Sequence, residues 1–253
     1  MEGRFFTDRG NVRNHNEDAG GIFLNADNQP LLIVADGMGG HKAGDVASDM
    51  TISMIKELWE DVDYFSTPEM IEDWLQNVLV DVNAVIYEKA NTNEAFVGMG
   101  TTVVIAVCID DFISVAHIGD SRCYILNQSG FMQITEDHSL VSALVRSGQI
   151  TEEEAHHHPR KNIVLKSLGT EESVHADIQS LSWEAGDKLL LCSDGLSDKI
   201  TNDELKTWIE KDEHYDTIGQ QLIDLANERG GEDNISLIIV KHESDGKEGD
   251  ASC

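Results

Sequence analysis

The chain has 253 residues, in which 18 Lys and Arg face 47 Asp and Glu, a formal net charge of −29. That balance argues against binding to nucleic acid or to anionic lipid, since both attractions come from clustered Lys and Arg. It does not imply disorder: 40% of residues are hydrophobic, and a chain of this length can bury a sizeable core as one large domain or two small ones.

Glu17 and Asp18 precede the segment Ala19 to Leu24, and Leu31 to Ala35 is a short apolar run that predicts a buried strand ending at Asp36. A helix is expected from about Lys42 to Glu60, with Val46, Met50, Met54 and Leu58 as its stripe and Ile55 and Trp59 broadening it. A second runs from Ser66 to about Ala90 on Ile71, Trp74, Leu75, Val78, Leu79, Val82, Val85 and Ile86, opened by the capping residues Ser66-Thr67-Pro68-Glu69. Strands follow at Thr101 to Ile109, Phe112 to His117, Arg122 to Leu126 and Phe131 to Ile134. Their short links, Asp110-Asp111, Gly119-Asp120-Ser121 and Gln128-Ser129-Gly130, predict antiparallel neighbours. Residues 140–172 are polar, with a helical piece at Leu140 to Ser147. Strands resume at Val174 to Leu181 and Lys188 to Cys192, helices at Asn202 to Lys211 and His214 to Arg229, and a last strand spans Ile235 to Val240. Residues 243–253 are small and charged, as in a disordered tail. Two helix blocks separated by β meanders, without regular βαβ alternation, predict an α+β fold of antiparallel sheets covered by helices.

No apolar stretch approaches the roughly eighteen residues of a membrane span. Met1-Glu2-Gly3-Arg4 does not open a secretory signal. Cys108, Cys123, Cys192 and Cys253 are scattered without a CxxC, which suits reduced, buried thiols. A soluble cytoplasmic protein is expected, and a monomer, since no extra interface element is visible.

Acidic residues stand at the ends of several apolar runs: Asp36 before Gly37-Met38-Gly39-Gly40-His41, Asp194 before Gly195, Asp120 in a tight link, and Asp233-Asn234 before the last strand. Singly, each is an ordinary turn residue. Strand ends of a layered sheet converge on one edge, however, and carboxylates crowded there repel unless a cation lies between them. Hard divalent ions prefer oxygen ligands, so such a cluster points to Mg²⁺ or Mn²⁺, with Gly37 allowing a backbone carbonyl to approach.

In order along the chain come Arg13-Asn14-His15-Asn16-Glu17-Asp18-Ala19, Asp36-Gly37-Met38-Gly39-Gly40-His41, Gly100-Thr101-Thr102, Gly119-Asp120-Ser121-Arg122, Asp137-His138-Ser139, Ser193-Asp194-Gly195-Leu196 and Asp233-Asn234. From about Arg4 to Val240 the sequence resembles the metal-dependent Ser/Thr protein phosphatases of the PPM family, in their compact bacterial form. The resemblance implies a four-layer α/β/β/α sandwich, two antiparallel β-sheets flanked by helix pairs. It also implies one catalytic domain over residues 1–242 with a flap at about 141–172. Asp36 then matches a carboxylate bridging two ions, with the Gly37 carbonyl on the second, while Asp194 and Asp233 match ligands of the first. Glu17 and Asp18 match acids near the second ion, directly or through water. Bacterial members often bind a third ion, for which Asp120 with Asp194 would be ligands. Arg13 matches the phosphate-binding arginine, a role suited to its fork of donors. Many eukaryotic members carry His directly after Asp-Gly, where this chain has Met38; His41 is the candidate general acid, with ordering of the loop as its other reading.

The activity implied is Mn²⁺- or Mg²⁺-dependent hydrolysis of phosphoserine and phosphothreonine in proteins by a hydroxide bridging two ions, opposing Ser/Thr kinase signalling, with a cognate kinase among the partners. The alternative keeps this site for a non-protein phosphomonoester or a dedicated regulatory phosphoprotein. A silent binding module is disfavoured by the complete acidic set, and a Ca²⁺ buffer by the absence of EF-hand loops. Ser121 and Ser193 lack the partners of a nucleophile, and His156-His157-His158 reads as a solvated part of the flap. The acid surplus is expected to favour substrates with basic flanks.

Overall fold

Leu31 and Ile33 point to one side of their strand, Leu32 and Val34 to the other, and all are fully buried. A strand buried on both faces needs a cover on each, and the chain supplies two. In this computed structural model, which describes residues 1–39 and 43–243, two antiparallel sheets stack face to face and each is covered outside by helices. The first sheet has the order β1 (Glu2–Asp8), β11 (Ile235–Lys241), β10 (Lys188–Cys192), β7 (Arg122–Asn127), β8 (Gly130–Gln133). The second runs β2 (Asp18–Leu24), β3 (Pro30–Met38), β5 (Val103–Cys108), β6 (Phe112–Ile118), β9 (Asp177–Ser182), with the short β4 (Gly100–Thr101) paired to the end of β3. Leu32, Val34, Val104, Ile125, Leu189, Leu191 and Ile238 fill the space between the sheets, and buried Cys123 lies among them. Leu31, Ile33 and Ile105 pack outward against α1 (Ala43–Glu60) and α2 (Pro68–Thr92). Leu190, Leu237 and Ile239 pack outward against α5 (Asp194–Ser197), α6 (Asn202–Ile209) and α7 (Tyr215–Glu228). The order of layers is the expected α/β/β/α. Residues 40–42, His41 among them, and residues 244–253 of the expected tail lie outside the described residues.

Three features depart from the sequence expectations, each for a local reason. The buried face of α1 is Ala43, Gly44, Ala47, Ser48, Thr51, Ile55 and Trp59, while Val46, Met50 and Met54 are only half-buried and Leu58 is exposed. The helix start lies so close to β3 that small residues make the contact: a Cβ on Gly44 would sit 2.8 Å from the Gly37 carbonyl oxygen. Second, β6 and β7 are not hairpin neighbours despite their three-residue link, because they belong to different sheets. The chain turns a corner there through Gly119, whose φ of 109° favours glycine and whose Cβ, if present, would sit 2.6 Å from that of Thr102. Third, β1, a strand with polar and apolar residues mixed, pairs with β11 from Glu2↔Lys241 to Asp8↔Ile235 and was not anticipated. Residues 140–172 carry α3 (Leu140–Arg146) and α4 (Glu152–His156), then return along residues 162–165 beside Ser139.

Candidate metal centre

The antiparallel pairing of β2 with β3 sets Asp18 directly opposite Asp36, where both strands run out at the same edge of the sandwich. Asp36 faces Thr102 across the β3 ladder. The Thr102 hydroxyl accepts the Asp36 N–H at 3.1 Å, and the Asp36 carbonyl accepts from the Thr102 N–H at 2.9 Å and the Thr101 hydroxyl at 2.8 Å. The next peptide is fixed by the Gly37 N–H, which donates to the Glu17 carbonyl at 3.0 Å. A side chain at position 37 would overlap the Gly44 carbonyl, so the close packing of β3 on the start of α1 is what makes glycine obligatory there. The corner between the sheets carries Asp120, β10 delivers Asp194 at the start of α5, and Asp233 arrives just before β11.

These segments line one cleft of about 390 Å³, walled by Glu17, Asp36, Gly37, Asp120, Asp194 and Asp233, with Arg13 at its rim and Asn162, Ile163 and Val164 closing one side. Of the sequence-predicted residues, Asp18 lies behind this wall: it is 8% exposed, and its Oδ2 accepts the Ser193 hydroxyl at 2.8 Å. His41 lies outside the described residues. Arg13 is the one Lys or Arg among the described residues lining the cleft; its Nη2 donates to Asp233 Oδ2 at 2.7 Å and its Nη1 lies 3.9 Å from Glu17 Oε2.

The electrostatics are those of negative charge held together without enough compensation. Burial, then the neighbouring charges of Asp18, Asp194, Asp233 and Asp120, push the Asp36 carboxyl well above the usual range. Burial followed by Asp120 and Asp233 does the same to Asp194. Asp18 and Asp120 are pushed up to about 6, in both cases chiefly by burial, and Glu17 is raised by burial against the pull of Arg13. The Oδ1 atoms of Asp18 and Asp194 are buried and have no hydrogen-bond partner among the described residues. Orphaned carboxylate oxygens among mutually repelling carboxylates fit hard divalent cations, and a lining that offers oxygens and neither Cys nor His among the described residues suits Mg²⁺ or Mn²⁺ better than zinc.

Sequence reasoning missed the residues that fasten these acids. Asn234 is the main joint: its Oδ1 accepts the Glu17 N–H at 2.8 Å, its Nδ2 donates to the carbonyls of Arg9 at 2.8 Å and His15 at 3.0 Å, and its own N–H donates to Asp233 Oδ1 at 2.9 Å. Ser193, fully buried, donates to Asp18 and accepts the Ser236 N–H at 2.9 Å, which leaves its hydroxyl no access to a substrate. Ser48 donates to the Glu17 carbonyl at 2.6 Å. The available signal was position: Asn234 and Ser193 each adjoin an acid already singled out. His156-His157-His158 lies at the end of α4, with His156 on the wall of a neighbouring cleft of about 480 Å³ that shares Asp120, Asn162 and Asp194 with the first.

A family profile described as protein phosphatase 2C matches residues 9–236. The serine/threonine phosphatase stp of Listeria monocytogenes serotype 4b is 44% identical over 252 residues, covering 100% of both chains. Protein phosphatase PhpP of Streptococcus pneumoniae is 37% identical over 240 residues, 95% of this chain and 97% of its own. Among solved structures, serine/threonine phosphatase Stp1 from Staphylococcus aureus superposes with a TM-score of 0.92 at 42% identity, covering 96% of each chain. The catalytic domain of the serine threonine protein phosphatase PstP, solved with two manganese ions, gives a TM-score of 0.84 at 32% identity over 96% of this chain and 98% of that one.

Proposed function

The chain belongs to the protein phosphatase 2C family, and on that premise we propose that its acidic cleft is the active site of a manganese- or magnesium-dependent protein serine/threonine phosphatase. The observation that carries the reading is the meeting of Glu17, Asp36, Asp120, Asp194 and Asp233 in one cleft with Arg13 at its rim. Asp36, the Gly37 carbonyl, Asp194 and Asp233 would hold two ions, Glu17 and Asp18 would act on the second directly or through water, and Asp120 with Asp194 would take a third. When bound, such ions supply a nucleophilic hydroxide at neutral pH and offset charge on the phosphoryl oxygens.

The chain's own residues prepare that chemistry. Arg13 has a pKa that burial lowers but Asp233 raises further, so it stays charged and can exchange its carboxylate partner for a phosphate with matching fork geometry. Thr101 and Thr102 hold the Asp36 backbone from both sides, and Ser193 fixes the Asp18 carboxylate against rotation. Asn162, Ile163 and Val164 reduce access of water on the flap side. His41 is assigned from the sequence alone as proton donor to the leaving alkoxide. Residues 1–242 would form one catalytic unit with residues 141–172 as its flap, acting as a monomer in the cytoplasm on phosphoproteins that include its cognate Ser/Thr kinase. Among the described residues no helix is long and apolar enough to cross a membrane.

The test is hydrolysis of a phosphothreonine peptide after chelation and after adding Mn²⁺ back, with Asp36→Asn alongside. Activity should vanish in chelator, return with Mn²⁺, and fall at least about a hundredfold in the variant. Full activity in chelator would overturn the reading.

A further inference from the structure

Behind the cleft, His138 grips the corner that carries Asp120. Its backbone N–H donates to the Gly119 carbonyl at 2.9 Å, and its ring Nδ1 accepts the Gly119 N–H at 3.0 Å, so the peptides on both sides of Gly119 are bound by one residue. The His138 carbonyl accepts the Leu165 N–H at 2.7 Å. Leu165 directly follows Asn162, Ile163 and Val164 on the cleft wall, and Val164 bridges to Ser139. One residue therefore ties the Asp120 corner to the returning segment of the flap.

The ring is well fixed. It stacks on buried His117 with centroids 4.6 Å apart and planes 12° from parallel, and His117 Nε2 lies 2.8 Å from the Glu136 carbonyl oxygen. A ring nitrogen that accepts an N–H carries no proton, so neutral His138 keeps its proton on Nε2, 3.3 Å from Asp177 Oδ2. Burial, His117 and Lys166 all favour this neutral ring, against the pull of Asp177, which is itself bonded to Lys166 at 3.1 Å. His117, His138 and Asp177 are close enough to resemble a cation site. The His138 bonds speak against it: with Nδ1 accepting the Gly119 N–H, His138 would have to surrender its one ring proton to offer Nε2.

We propose instead that His138 is a positioning residue for the metal centre, setting the Asp120 carboxylate and the 162–164 wall relative to each other through the Nδ1 acceptor. The inference rests on the reading of Asp120 as a metal ligand. An Asn side chain places an oxygen near where Nδ1 lies, whereas Gln places it near Nε2, so the pair isolates the acceptor at similar cost in packing. The measurement is Mn²⁺ binding to the full chain, read by electron paramagnetic resonance as free ion against total, for wild type, His138→Asn, His138→Gln and Asp120→Asn. The weakest-held Mn²⁺ should lose affinity about tenfold or more in His138→Gln and stay within about twofold of wild type in His138→Asn, the range typical of residues that orient ligands. Wild-type binding in His138→Gln, or equal loss in both His138 variants, overturns the positioning role while leaving the metal centre standing. Wild-type binding in Asp120→Asn overturns the assignment of Asp120, and the inference with it.

Discussion

Replacing Asp18 by Asn should stabilise the chelated protein while damaging its metal centre. The Asp18 carboxyl is pushed from 3.8 up to about 6, first by burial, with the hydroxyls of Ser236 and Ser193 opposing and the charge of Asp233 adding. A carboxyl whose folded pKa lies above its unfolded one binds more protons when folded. Its destabilisation is therefore absent below about pH 4, grows through the interval and is complete above about pH 6. A shift of roughly two units at ~1.4 kcal/mol each makes the penalty about 3 kcal/mol at pH 7. Asn keeps an oxygen for the Ser193 hydroxyl and removes the charge that Asp18 sets against Asp36. In chelator at pH 7, Asp18→Asn should thus melt about 6–10 °C above wild type, the shift expected for ~3 kcal/mol in a domain of this size. At pH 4 the two should coincide. Excess Mn²⁺ should stabilise wild type more than the variant, because binding to the folded state alone adds stability that rises with the logarithm of affinity. The assay is calorimetric melting at both pH values with chelator and with Mn²⁺. A variant no more stable than wild type at pH 7 in chelator, or equally stabilised at pH 4, refutes the claim that uncompensated charge strains the centre.

Arg13→Ala should leave chelated stability within about 1 kcal/mol, since Arg13 is half exposed and its pair with Asp233 sits at the rim; kcat/KM for a phosphopeptide should fall about a hundredfold, as for loss of one donor to a developing charge, and unchanged kinetics would remove it from the site. The cleft next to the metal centre is walled by Glu136, Glu152, Asp198 and Asp203, of which Asp198 pairs with Lys161 and Glu136 with Arg146; from the acid surplus that remains, phosphopeptides with basic flanks should outcompete acidic ones through KM, by a margin that shrinks as salt screens the attraction. Exchanging residues 141–172 for an unrelated flap should alter that preference more than turnover of a small aryl phosphate, and equal effects on both would refute a docking role for the flap.

Much of the fold was legible because local signals and burial agreed. Leu31 to Ala35 and Leu189 to Cys192 are apolar on both faces, as strands covered on both sides are. Thr67 caps its helix as Ser66-Thr67-Pro68-Glu69 indicates. The acids at strand ends were legible too, since a carboxylate that stops an apolar run is conspicuous wherever it finally points. Hidden from the sequence were contacts made by small or neutral residues. The seat of α1 on Gly37 and Gly44 reverses what its large apolar residues suggest, and the three-residue link at Asp120 reads as a hairpin although it crosses between sheets. Sequence by itself determined which side chains can carry charge, donate or fill a core, because those properties belong to the residue. Only the tertiary structure decided that Asp18 stands across from Asp36, that Asp120 joins them from the corner between the two sheets, and that Asn234, Ser193 and His138 hold the set in place. Pairing register, the choice of sheet and hydrogen bonds between residues that lie in different elements, 19 positions apart for His138 and Gly119 and 217 for Asn234 and Glu17, are properties of packing, and no local stretch of sequence contains them.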